Sequence, residues 1–108
     1  MKKGKVFVND IHAGYILENE DGYVFYYVDE YLKNPKATPV SLTLPLSDTE
    51  YKSKILFPFF DGLIPEGYLL NITVDLFKLD YKNRMDLLLK VCKDVIGNVS
   101  IEDVSDGR

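Results

Sequence analysis

The stretch Phe59-Phe60-Asp61-Gly62-Leu63-Ile64-Pro65-Glu66-Gly67 divides the chain: the residues before it read as strands and turns, the residues after it as helix. Pro65 suits the first turn of a helix, where its missing N–H costs nothing and its φ is already set. Glu66 places a carboxylate over the free N–H groups and positive dipole end of that helix. Gly67 lets another backbone or side chain come close. A well-capped helix start accounts for most of these residues. The aromatic and aliphatic side chains around the Pro-Glu-Gly step predict a buried hinge between two layers.

The chain has 108 residues, which predicts one domain, 1–108, with its core at about 5–101. Hydrophobic residues make up 46% and charged residues 28%, enough for a packed core and against disorder. The net charge is −4, and the one basic cluster is Lys2, Lys3 and Lys5. That argues against direct nucleic-acid binding, which needs Lys and Arg to neutralise phosphates. Cys92 is the single cysteine, so no intramolecular disulfide and no cysteine zinc site is expected. Neither a signal peptide nor a membrane-length apolar run is legible, and the expected location is the cytoplasm.

Lys5–Asn9 reads as a first strand, followed by a turn from Asn9-Asp10 to Gly14 and a second strand over Tyr15–Glu20. Asp21-Gly22 predicts a type I′ hairpin turn into a third strand, Tyr23–Val28. The third strand is apolar or aromatic on both faces, so either both faces are covered or one meets a partner. Asp29–Asn34 predicts a single helical turn capped by Asp29. Val40-Ser41-Leu42-Thr43-Leu44 alternates with period two and predicts a half-buried strand ended by Pro45. Ser47–Lys54 reads as a solvated loop and Ile55-Leu56-Phe57 as a short extended piece.

A helix is predicted from Pro65 to about Lys78, with Leu69, Leu70, Thr73, Leu76 and Phe77 as its buried stripe. Asn83 caps a second helix, Arg84 to about Lys93, whose inner face is Met85, Leu88, Leu89 and Cys92. Val95–Ile101 returns as a turn and last strand, and Glu102–Arg108 reads as a frayed polar tail. The fold class expected is α+β: a small antiparallel, barrel-like sheet with two helices packed on it.

The catalytic inventory is thin. His12 is the only histidine and reads as a turn or surface residue; Cys92 reads as a small core thiol. Asp61 and Glu66 could pair as acid and base, but capping and hydrogen bonding fit them better. Phosphate-loop, dinucleotide and kinase signatures are absent from the sequence. No metal, no cofactor and no enzymatic activity are expected. Tyr23–Tyr27 offers either a contact surface or core packing, and Tyr68 either an exposed anchor or a core ring.

The order of features resembles the N-terminal subdomain of HipA-type serine/threonine kinases of bacterial toxin–antitoxin systems. The matching pieces are Val6-Phe7-Val8-Asn9 to Gly14-Tyr15-Ile16, Phe25-Tyr26-Tyr27 with Tyr31-Leu32, and Pro39-Val40-Ser41-Leu42-Thr43-Leu44-Pro45-Leu46. Most specific is Pro58 to Gly67, where the family shows a phenylalanine, two spacers, two leucines and Pro-Glu-Gly. Leu87-Leu88-Leu89 and Asp94-Val95-Ile96-Gly97-Asn98 also fit, with Val95 and Asn98 where the family has Cys and Ala. The resemblance runs from about Lys5 to Ile101 and stops where a kinase body would begin.

In the family's tripartite HipBST arrangement, a short HipS protein matches only this subdomain, HipT carries catalysis, and HipB is a helix-turn-helix DNA-binding protein. The resemblance therefore implies a HipS-like antitoxin that binds and inhibits a HipT/HipA-type kinase in trans. The alternatives are a structural N-terminal subdomain of a HipA-type kinase, or an adaptor contacting a HipB-like protein; a stand-alone enzyme using Asp61 and Glu66 ranks last. The partner-binding residues expected are Asp61, Ile64, Pro65, Glu66 and Tyr68, a rigid turn joining carboxylates to an aromatic anchor.

Overall fold

Five antiparallel strands form one sheet in the order β4-β3-β2-β1-β5. They are β1 (Lys2–Val8), β2 (Ile11–Asn19), β3 (Gly22–Tyr27), β4 (Tyr51–Ser53) and β5 (Val99–Asp103). Among the described residues three helices accompany them: α1 (Asp29–Leu32), α2 (Pro58–Asp61) and α3 (Arg84–Val91). The computed structural model describes residues 2–64, 83–91 and 98–105. The predicted helix from Pro65 to Lys78, Cys92 and the turn at Val95–Gly97 lie outside the described residues. The α+β class holds, but the sheet is open, with β4 and β5 at its edges, so barrel-like overstates its closure. Among the described residues no helix is long and apolar enough to cross a membrane.

The meander β1-β2-β3 follows the sequence pattern, with its turns tighter than expected. Val8 pairs with Ile11, so the first loop is only Asn9-Asp10, and both take positive φ (51° and 67°). Asn and Asp tolerate this left-handed conformation better than other side chains, and β2 therefore starts at Ile11, well before Gly14. The second loop is Glu20-Asp21, closed by the Asn19–Gly22 pair, with the Asp21 N–H donating to Asn19 Oδ1 at 2.8 Å. Gly22 alone there has positive φ (136°), so the predicted type I′ turn does not form. Its glycine serves β4 instead: a Cβ at Gly22 would lie 2.3 Å from the Ser53 carbonyl oxygen.

Alternation along the strands sends Val6, Val8, Ile16, Phe25, Tyr27, Val99 and Ile101 into one core. α3 covers that face with Met85, Leu87, Leu88 and Leu89. As expected, Asn83 caps α3, its Oδ1 accepting the Asp86 N–H at 3.2 Å. α1 differs from expectation, since its N-cap position is Val28 and no side chain caps it; Asp29 lies inside the first turn. The expected frayed tail is held to β1: Val104 N–H donates to the Lys3 carbonyl at 2.9 Å, and Lys3 N–H to Ser105 Oγ at 2.9 Å.

The largest correction concerns residues 38–54. Val40–Leu44 is no strand; Leu44 N–H turns back to the Ser41 carbonyl at 3.1 Å. The backbone groups a neighbouring strand would use go instead to Tyr27, whose hydroxyl accepts the Val40 N–H at 3.0 Å and donates to the Leu44 carbonyl. The chain expected as loop before Lys54 supplies edge strand β4, paired Tyr23–Ser53, Val24–Lys52 and Phe25–Tyr51. Three residues carry too little periodicity to register as a strand.

Candidate partner interface

The Phe57–Ile64 corner is a short helix followed by a tightening turn. Pro58 opens α2 at a position where it needs no N–H donor. Asp61 N–H donates to the Phe57 carbonyl (3.0 Å), Gly62 N–H to Pro58 (2.9 Å), Leu63 N–H to Phe60 (3.0 Å) and Ile64 N–H to Asp61 (3.2 Å). Phe60 anchors the corner, fully buried, with its ring 5.4 Å from Phe25, 5.2 Å from Phe59 and 6.3 Å from Phe57. The corner is thus rigid because its backbone bonds are local and its central ring is locked in the core.

Asp61 lies at the surface of this corner. Its Oδ1 takes the Arg84 Nε–H at 2.7 Å, which clasps the end of α2 to the start of α3. Both side chains are partly exposed, so the pair orients more than it stabilises. Ile64 is only 2% exposed and belongs to the core, so it holds the corner in place rather than offering a contact. Pro65, Glu66 and Tyr68 lie outside the described residues. The structure thus brings Asp61 and Ile64 into one corner but leaves the Asp61 side chain partly exposed and the Ile64 side chain buried. Arg84 was not legible as Asp61's partner, because it sits 23 positions away with no local pattern linking them.

A second surface lies on the sheet face away from α3. Phe7, His12, Tyr15 and Tyr26 form a half-buried aromatic row with centroid separations of 5.7, 4.8 and 5.6 Å. Lys3 Nζ sits 4.2 Å above the Tyr15 ring. Burial lowers the His12 pKa from its usual 6.5, with Lys5 adding to the effect and the ring's hydrogen bond to the Gly14 carbonyl opposing it. This row resolves the two-faced third strand: Tyr23, Phe25 and Tyr27 face the core, while Tyr26 packs on Tyr15 across the other face.

A small α+β unit with a rigid aromatic corner and a second aromatic face has the makings of a binding module. Comparison with known proteins gives the class a family. The profile of the HipA N-terminal domain matches residues 4–102, and the chain belongs to that family. A solved N-terminal domain of HipA toxin superposes with a TM-score of 0.73 at 24% identity, covering 99% of this chain and 96% of that one. A chain in the Shewanella oneidensis MR-1 toxin–antitoxin structure of HipA, HipB and operator DNA gives a TM-score of 0.72 at 20% identity. That match covers 97% of this chain and 24% of the longer one. An uncharacterized Haemophilus influenzae protein is 29% identical over 103 residues, 95% of this chain and 93% of its own length.

Proposed function

We propose that this chain is a HipS-like antitoxin of a HipBST-type system, a cytoplasmic, non-catalytic protein that binds a separate HipT/HipA-type serine/threonine kinase and restrains it in trans. The observation that carries this reading is the relative of the same extent: the match covers 93% of the Haemophilus influenzae protein, so the domain occurs there as nearly the whole of a protein. If the partner kinase has basic nucleotide- or substrate-binding surfaces, the net charge of −4 speeds the encounter. Contact runs through Asp61, Pro65, Glu66 and Tyr68, with Ile64 as buried support beside Asp61. A HipB-like helix-turn-helix protein is a further partner, and DNA enters only through it.

The match to 24% of the Shewanella chain favours a second reading, in which the domain is the structural N-terminal part of a longer kinase. Co-expression with the kinase encoded beside it, followed by size-exclusion chromatography and a growth test, separates the two. The proposal predicts co-elution and rescued growth, weakened by Tyr68→Ala and Glu66→Ala. Separate elution with continued toxicity contradicts it; binding and rescue unaffected by those substitutions would displace the interface from this corner.

A further inference from the structure

Resting on that kinase-binding reading, we infer that the Thr38–Leu46 turn is a preorganised docking peg, with Leu42 as the anchor that enters an apolar pocket on the kinase. Leu42 is 94% exposed, the most exposed large hydrophobic residue among those described. A single exposed leucine is ordinary. Its mounting is not. Tyr27 holds Val40 N–H and the Leu44 carbonyl, one on each side of the apex. Tyr31 holds both the carbonyl and the N–H of Thr38, at 2.7 and 3.0 Å. Tyr51 donates to the Pro45 carbonyl at 2.7 Å. Three tyrosines, from β3, α1 and β4, thus clamp both arms of one turn.

Within the turn, Thr43 N–H and Thr43 Oγ1 both bond Ser41 Oγ, at 3.2 and 2.9 Å. Val40 and Leu44 are buried and root the arms in the core, which leaves Leu42 projecting between them. A backbone held this way loses little further freedom on binding, so the cost of ordering falls mainly on the Leu42 side chain itself. The charge pattern selects the occupant. In a chain that is 28% charged, residues 37–46 contain no charged side chain. Loss of charge marks the centre of protein–protein interfaces and is opposite to what a nucleic-acid phosphate or a membrane headgroup would require.

The test uses the full chain and the purified kinase, with Kd measured by calorimetry for wild type, Leu42→Asp, Leu42→Met and Ile55→Asp. Ile55 is 68% exposed but lies outside the clamped turn, so it controls for a general loss of surface hydrophobicity. The expected result is about a 10- to 100-fold weaker Kd for Leu42→Asp, with Leu42→Met and Ile55→Asp within about 3-fold of wild type. Thermal midpoints of all variants should stay near wild type, since neither side chain is buried. Tight binding by wild type and Leu42→Asp alike overturns the peg and leaves the kinase partnership standing. Equal losses for Ile55→Asp and Leu42→Asp also overturn it. Absence of wild-type binding overturns the partnership and the peg with it.

Discussion

Replacing Tyr27 by phenylalanine removes one oxygen atom and leaves the edge-to-face contact with Phe25 and the stack on Tyr31 unchanged in shape. What it strips away is the partner of two backbone groups, the Val40 N–H and the Leu44 carbonyl, in residues that are both buried. Each orphaned buried group costs about 1–3 kcal/mol, so the Tyr27→Phe protein should lose roughly 2–4 kcal/mol, allowing for some access of water at the turn. For a chain of this size that is a fall of about 8–16 °C in thermal midpoint. The same hydroxyl gives a second signature. Burial pushes the Tyr27 pKa up from 10 to about 12, against the opposing donation from Val40 N–H. Its contribution to stability is complete below pH 10, where both states are protonated. It declines as the unfolded hydroxyl ionises and is lost as the pH rises through about 12. Urea titrations across this range should therefore show a steeper alkaline decline for wild type than for Tyr27→Phe. A stability loss below about 0.5 kcal/mol with an unchanged alkaline slope would refute the argument and mean that the turn is not held by this residue.

Gly14→Ala should cost about 1–3 kcal/mol or more in urea unfolding, because a Cβ there would lie 2.2 Å from the Tyr26 carbonyl oxygen, which the β2–β3 ladder cannot move; a neutral result would contradict this. A double-mutant cycle on Asp61→Asn and Arg84→Ala should yield a coupling of only about 0.2–1 kcal/mol, smaller in high salt, since both side chains are partly exposed. His12, with its pKa lowered by burial, contributes stability that is present above pH 6.5 and lost as the pH falls through the folded-state value. Wild type should therefore lose more stability than His12→Gln between about pH 7.5 and 5, and parallel profiles would remove His12 from the acid response.

The meander, the α3 cap at Asn83 and the return strand at Val99 were legible because their signals are local: alternation, turn residues and an Asx cap. Residues 38–54 were not. Alternation over Val40–Leu44 looks like a strand, yet its Val40 N–H and Leu44 carbonyl go to the Tyr27 hydroxyl, and the flanking Thr38 and Pro45 go to Tyr31 and Tyr51, partners that no local window of sequence contains. Leu42 points outward for the same reason: the Ser41–Leu44 turn breaks the period-two pattern. Gly22 misled in another way, since a glycine required by contact with Ser53 looks identical in sequence to one required by a type I′ turn. At the corner, the sequence marked Asp61 and Ile64 alike, but only tertiary packing separates a surface carboxylate clasped by Arg84 from a side chain sealed in the core.

The measurement that bears most directly on the central claim is the rate of phosphate transfer by the purified partner kinase as this chain is titrated in. A restraining antitoxin predicts a fall to near zero that saturates at one chain per kinase, with Leu42→Asp and Tyr68→Ala shifting the titration to higher concentration. An undiminished rate at saturating chain would contradict inhibition in trans and leave the domain a structural unit of the HipA N-terminal family.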